Sequence, residues 1–332
     1  MKLTVDISGD YPDGITTYFN FKNYANKYQD LKNTSLSIGF NSVYNKEVHN
    51  LIEDCDTRMF LNTEHPCTFY GKKEDGLLTS DVDNIFTDVF TICPYSTQWI
   101  NNLHHGGLNK FKFDFFPIDK AYATKFDCED KNIDSIFHGS ICGKTHENTI
   151  RAIADFNYRF VTLGPSYWHP NEDIDTNFLY SKVTNMAITT AQKWYLLSKT
   201  KTIPIQNQLY LKPEHVQNIK QHQDWHLNKA FEGVEDTNII CQIKPRVVEA
   251  AFFKVLMLVK KDNWNAIEFL YEPEKEFLYY EDEKDLPEMI SEVTNNWDKY
   301  KHIVDNAYAK AMTQYTTEAT LDRMISSIGE KY

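Results

Sequence analysis

The amino-acid sequence predicts an α/β protein made of two Rossmann-like domains with mostly parallel sheets. One sign is the alternation of short apolar runs with helical stretches over residues 2–117, the pattern of strands joined by crossover helices. Another is the run K-P-R-V-V-E-A-A-F-F-K-V-L-M-L-V over residues 244–259. There a short helix opens at Glu249 and feeds the apolar run 255–259, which suits a strand buried on both faces of a parallel sheet. The third sign is length, because 332 residues hold two domains of ordinary size, each with its own core.

Taken in order, residues 2–8 alternate apolar and polar positions and read as a first strand, broken by G-D-Y-P-D-G at 9–14. A strand followed by a glycine-bearing loop is how Rossmann-like domains begin. No G-x-G-x-x-G is present, which excludes the dinucleotide fingerprint. Residues 36–40, 58–62 and 88–93 read as further strands, 46–53 and 97–103 as helices, and 111–117 as the last strand of the first domain. The polar run 121–132 marks a boundary and gives domains of 1–122 and 123–312, with 313–332 as a closing helix. The second domain opens with a strand at 133–140, a helix at 147–156 and a strand at 158–163 that ends on Gly164. One helix over 181–197, a strand over 201–206 and a helix over 213–223 follow. Helical periodicity returns over 285–296, 298–312 and 317–328.

Bulk numbers exclude several classes. No run approaches the roughly 18 apolar residues that span a bilayer, and the first residues lack a signal-peptide core, so a cytoplasmic protein without a membrane span is expected. The six cysteines lack CxxC spacing, which suggests neither a zinc cluster nor a disulfide framework. A net charge of −12 argues against a protein whose main partner is a nucleic-acid backbone.

The chemistry concentrates around Arg246 and Glu249. Three residues apart at a helix start, they share one face and address one ligand. An arginine there suits a phosphate, helped by the positive end of the helix. A carboxylate one turn on accepts two hydrogen bonds from a sugar diol. The alternative is a surface ion pair, which is common and worth little.

The arrangement R-x-x-E-A at Arg246, Glu249 and Ala250, a buried strand, then F-L-Y-E-P-E-K-E at 269–276 resembles the donor-binding half of GT-B glycosyltransferases. The likeness is to the CgeB-like group and, more distantly, to the DNA β-glucosyltransferase of T-even phages. It spans roughly the C-terminal 200 residues. It implies two domains facing across a cleft, with the acceptor on the 1–122 side, the donor in 123–312, and the last helix packing back. It also implies a nucleotide-diphospho sugar, a UDP-sugar foremost, as co-substrate, with no tightly bound cofactor and no metal. Many GT-B enzymes pair this glutamate with another eight residues earlier; here that position is Cys241, as the CgeB-like and phage versions also do without it.

H-G-S-I-C-G-K-T-H-E-N at 138–148 lies between a strand and a helix. Gly139 lets the backbone approach a ligand, and the amides that follow, with Ser140, suit a diphosphate. The resemblance places basic residues after this G-S; here Cys142 and His146 fill those positions, with Lys144 and Lys244 nearby and Gly164 near the nucleotide base. The alternative is an ordinary βα turn. An inverting transfer needs a general base. Glu64, with His65 beside it in F-L-N-T-E-H-P, looks like the counterpart of the T-D of the phage enzyme. The alternative is that both merely cap a loop ended by Pro66.

Two further readings stay open: a glycosyltransferase acting on hydroxymethylated bases in DNA, and a non-catalytic protein that binds a sugar nucleotide or a partner. The acceptor is left as a glycan, a protein, a small molecule or DNA. The His222 and His226 pair lacks the glutamate of H-E-x-x-H and reads as a solvated helix face. His104 and His105 read as a helix end with glycine after it.

Overall fold

Among the described residues, five strands, all parallel and neighbours in chain order, make the sheet of the first unit: β1 (Thr4–Ser8), β2 (Thr34–Gly39), β3 (Thr57–Asn62), β4 (Asp88–Thr91) and β5 (Phe111–Phe113). The computed structural model describes residues 4–8, 18–28, 34–39, 54–63, 86–95, 97–98, 101, 110–163, 174–221 and 224–329. The chain divides into two compact units, one of residues 1–119, 211–242 and 315–332 and the other of 120–210 and 243–314.

Strands β3 and β4 carry Met59, Phe60, Leu61, Val89 and Phe90 out of water, and Phe60 stacks on Phe86 with centroids 4.7 Å apart. Apolar runs of this kind need helices on both faces of a parallel sheet. Residues 315–332 join this unit through the helix Thr317–Gly329. The Tyr315 carbonyl accepts from the Ile118 N–H at 3.1 Å, and Arg323 grips Asp114 with Nη2–Oδ1 at 2.8 Å. Residues 211–242 also belong here, whereas the sequence places them inside an unbroken 123–312. Leu211 N–H donates to the Asn238 carbonyl at 2.8 Å, and Asn228 Nδ2 donates to the Tyr95 carbonyl at 3.2 Å. Such long-range backbone bonds leave no local trace in a sequence.

The second unit holds a six-stranded parallel sheet of β6 (Ile133–His138), β7 (Tyr158–Thr162), β8 (Asn185–Met186), β9 (Thr200–Ile205), β10 (Leu256–Lys260) and β11 (Leu278–Tyr280). Its order is β11-β10-β9-β6-β7-β8. The chain therefore starts in the middle, builds outward through β7 and β8, returns, and builds the other way from β9. This is the doubly wound 3-2-1-4-5-6 order, and it reverses between β6 and β9. Ligands of such sheets sit outside the carboxyl ends at that reversal. Strand β6 ends there at His138-Gly139, and β9 leads there into Gln206-Asn207.

The longer helices of this unit among the described residues are α1 (Lys144–Ile153), α2 (Thr176–Lys182), α3 (Thr190–Ser198), α4 (Arg246–Phe252), α5 (Leu286–Asn295) and α6 (Trp297–Gln314). The core beneath α1, α5 and α6 joins Phe137, Ile150, Phe160, Leu258, Ile290 and Ile303. The single helix expected over 181–197 is instead α2, strand β8 and α3. Thr184 N–H is taken by the Phe160 carbonyl at 3.1 Å, which draws the chain onto the sheet edge. Thr189 then starts α3 through a reciprocal capping box with Gln192. Among the described residues, no helix is long and apolar enough to cross a membrane.

Candidate functional site

Helix α4 is only seven residues long and every one of them is buried, Arg246 and Glu249 included. Valine and alanine belong in such a helix; two ionisable side chains do not. Burying a charge costs several kcal/mol unless it is paired, so these two side chains need a compensating purpose. Their setting rules out the bland surface pair, since Arg246 is 8% exposed and Glu249 1%.

Arg246 lies against the end of β6. Gly139 has φ +127°, and a Cβ built there would stand 2.6 Å from Arg246 Nη2. The glycine thus serves twice, for a backbone conformation that L side chains rarely adopt and for the space the guanidinium fills. The guanidinium carbon also sits 4.9 Å from the Phe137 ring centroid, a cation–π contact in a desolvated setting. Burial pulls the Arg246 pKa down to about 10, which leaves it charged at neutral pH.

Glu249 faces the other way around the same corner. Its Oε1 accepts from Trp194 Nε1 at 2.8 Å and from Lys193 Nζ at 2.5 Å. Its Oε2 lies 3.6 Å from His138 Nε2. That approach is not an ion pair. Burial, with the charges of Lys193 and Arg246, pushes the His138 pKa well below the usual range and holds the ring neutral.

The loop between β6 and α1 completes the corner. Gly139 N–H bonds the Val161 carbonyl at 3.0 Å, and Ser140, half-buried, follows it. Cys142 N–H donates to His146 Nδ1 at 3.0 Å. Gly143 precedes α1 with extended backbone, and a Cβ there would meet the Tyr210 hydroxyl at 2.5 Å. Tyr210 in turn bonds Thr145 Oγ1 at 2.6 Å. Lys244 N–H donates to Asn207 Oδ1 at 3.1 Å, which ties the approach to α4 to the end of β9.

Among the polar atoms buried at this corner without a hydrogen-bond partner among the described residues are His138 Nε2, His146 Nε2, Arg246 Nη1 and Glu249 Oε2. Buried polar atoms are as a rule paired. These four lie around one glycine turn, at the reversal of the sheet, where a parallel α/β sheet places its ligands.

Of the residues the sequence singles out, Gly139, Ser140, His146, Lys244, Arg246 and Glu249 come to this one corner. His146, one of these, and Lys144, outside them, differ in chemistry from the expectation. Burial, then the charges of Arg246 and Lys244, keep His146 neutral, so it offers a hydrogen bond rather than a cation. Lys144 is engaged by Glu147, Nζ to Oε2 at 2.9 Å, and Arg151 and the Asp175 N–H hold the same carboxylate. Glu64, His65 and Gly164 lie outside the described residues, as do His222, His104 and His105. Sequence reasoning misses His138, Lys193 and Trp194. Only the His138 position, next to Gly139, offers a local signal.

The chain is similar in structure to HepE of Anabaena in complex with UDP, at 11% identity and TM-score 0.57, covering 99% of this chain and all of that one. It is similar to TarM of S. aureus, at 14% identity and TM-score 0.51, covering 92% of this chain and 58% of that one. It is similar also to sucrose-phosphate synthase of Thermosynechococcus elongatus, at 10% identity and TM-score 0.50, covering 95% of this chain and 78% of that one. At such identities the likeness speaks for the fold, which is GT-B. No curated protein matches the sequence. The family described as glycosyl transferase-like matches residues 146–326, more than half of the 332, and the chain belongs to it.

Proposed function

We propose that this protein moves a sugar from a nucleotide-diphospho sugar, a UDP-sugar, to an acceptor hydroxyl. The observation that carries the reading is Arg246 seated on Gly139, with one guanidinium nitrogen unpartnered at the switch point of a doubly wound sheet. A planar cation beside a glycine turn suits a diphosphate, and a buried carboxylate one turn on suits the ribose. Support comes also from HepE, solved in complex with UDP-glucose.

In this reading the second unit is the donor domain. The Gly139 and Ser140 amides, with Arg246 and Lys244, take the diphosphate, and Glu249 takes the ribose. Fixed donors and positive charge stabilise the departing diphosphate, so the transfer needs no metal. Glu64, with His65, is the proposed general base for the acceptor hydroxyl in the first unit, and direct attack makes the transfer inverting. The narrower placement near the CgeB-like group rests on the R-x-x-E-A and E-P-x-K-E motifs.

Thermal unfolding with nucleotide sugars tests the donor. A ligand at 100 times its dissociation constant adds about 2.7 kcal/mol, so UDP and a UDP-sugar should raise the midpoint by several degrees. No shift with any nucleoside diphosphate or its sugar ends the proposal. For the base, Glu64→Gln should keep donor binding and lose transfer; full transfer would remove Glu64 from the mechanism.

A further inference from the structure

The turn between β6 and α1 holds Gly139 and Gly143, and the two are glycine for different reasons. Gly139 has a backbone that favours glycine. Gly143, with φ −176° and ψ 178°, is extended, a conformation that any residue adopts. What forbids a side chain at 143 is Tyr210. A Cβ there would stand 2.5 Å from both Cε1 and the hydroxyl of that ring, far inside the ~3.5–4.0 Å at which non-bonded atoms rest. The aromatic ring therefore lies directly on the backbone ahead of α1. Two more contacts fix it there. Its hydroxyl shares a 2.6 Å hydrogen bond with Thr145 Oγ1, and its ring stands 5.9 Å from the His146 ring, tilted by 53°. His146 also meets Phe137, at 5.5 Å, and its Nδ1 receives the Cys142 N–H. The Thr145 carbonyl accepts from Gln206 Nε2 at 3.2 Å. One side chain thus touches residues 143, 145 and 146, and through His146 it bears on 142. Ser140, Cys142, Thr145 and Tyr210 are half-buried and Lys144 is exposed, so the outer face of this turn opens to solvent, where a ligand reaches it.

We infer that Tyr210 is a positioning residue for the diphosphate loop: its ring, seated on Gly143 and bonded to Thr145, holds the backbone of residues 139–146 in one conformation. This rests on the donor reading above and deepens it, by naming what keeps that loop in shape. Gly143 caps α1 without a side-chain hydrogen bond, so the residue at the cap does not fix the turn by itself. Backbone amides ahead of a helix hold a phosphate when they point at it together. A loop that samples several conformations loses affinity because binding must first order it. With the ring over the cap, that ordering is complete in the folded chain before any ligand arrives. Tyr210 acts through the loop and needs no contact of its own with the nucleotide.

The experiment is calorimetric titration of UDP, and of UMP, which lacks the β-phosphate, into the full chain and its variants. It is read as the UDP-to-UMP affinity ratio, which does not depend on the folded fraction. The wild-type chain should prefer UDP by at least about tenfold, tenfold being 1.4 kcal/mol. Tyr210→Ala and Gly143→Ala should each cut that preference about fivefold, and Tyr210→Phe, which keeps the ring, should stay within about twofold of wild type. With Tyr210→Ala in place, adding Gly143→Ala should change little, because the ring that the methyl strikes is gone. If Gly143→Ala does not fold, the two Tyr210 variants decide alone. An unchanged ratio in Tyr210→Ala overturns the inference. So does equal weakening of both nucleotides, which a general structural defect would give. An effect of Gly143→Ala as large beside Tyr210→Ala as in the wild type overturns the ring contact as its cause. If the wild-type chain binds UDP and UMP equally, this inference falls and the donor reading stands; if it binds neither, both fall.

Discussion

Gly139 and Arg246 are mutually dependent: the guanidinium Nη2 lies where a side chain on residue 139 would begin, 2.6 Å from an ideal Cβ. Gly139→Ala therefore meets two penalties at once. The backbone at φ +127° is strained for any L residue, at about 1–3 kcal/mol, and the methyl displaces the cation. The variant should lose UDP binding by tenfold or more and unfold several degrees lower. Calorimetric titration with thermal unfolding checks both, and wild-type affinity in the alanine variant would show that the contact is incidental.

Arg246→Lys separates charge from shape. Lysine keeps the positive charge, but it loses the planar fork and the guanidinium's contact with the Phe137 ring. If the fork matters, Arg246→Lys and Arg246→Met should raise the donor KM by similar factors, each above about tenfold. If charge alone matters, the lysine variant stays near wild type. Steady-state kinetics on a UDP-sugar decides between them.

These predictions rest on residues that differ in how visible they are in the sequence. Arg246, Glu249 and Gly139 can be read because their meaning is local: an i, i+3 pair before a buried strand, and a glycine after one. Trp194 donates to Glu249 across 55 positions of chain, and no spacing rule carries that distance. The neutral state of His146 is equally hidden, because it comes from burial and from cations on α4 and its approach. The division of 181–197 into two helices and a strand was partly legible, since T-x-x-Q at Thr189 and Gln192 is a helix-start signature. The excursion of 211–242 into the first unit was not. It depends on backbone bonds such as Leu211 to Asn238, which the residues at either end do not announce.

Lys131 makes a pH prediction away from the site. Its ammonium donates to the Phe253 carbonyl at 2.8 Å, yet burial pulls its pKa down to about 7. The unfolded chain holds that proton up to the ordinary lysine range near 10.5. Between those values the unfolded state binds more protons, so this group makes stability rise with pH. Below about 7 both states are protonated and the cost of burying the charge is felt in full. Lys131→Met should therefore be stabilising relative to wild type near pH 6, with the advantage fading as pH climbs toward 9. Urea unfolding of both chains across that range measures it; a difference independent of pH would mean that the amine keeps its proton in the fold.

Asp114 and Arg323 pose the opposite sign within the first unit. Burial is the dominant influence on Asp114 and raises its pKa, while Arg323 and the Phe115 N–H work against it. Nη2 of Arg323 reaches Oδ1 at 2.8 Å and its Nε reaches Oδ2 at 3.3 Å, so the guanidinium binds the carboxylate with two nitrogens. Arg323→Ala leaves the carboxylate buried with only the Phe115 N–H, at 2.8 Å, among these partners. At neutral pH that should cost about 1–3 kcal/mol, discounted because Arg323 itself is partly in solvent. A folded pKa above the unfolded value means the folded state takes up the proton first as pH falls. The penalty in the alanine variant is thus largest at pH 7 and shrinks as pH drops through the raised pKa of Asp114, where a neutral carboxyl no longer needs its cation. Unfolding free energies at pH 7 and pH 4.5 give the comparison. An equal loss at both would assign the stability of the helix Thr317–Gly329 in this unit to apolar packing, with Met324 and Leu321 fully buried, rather than to the ion pair.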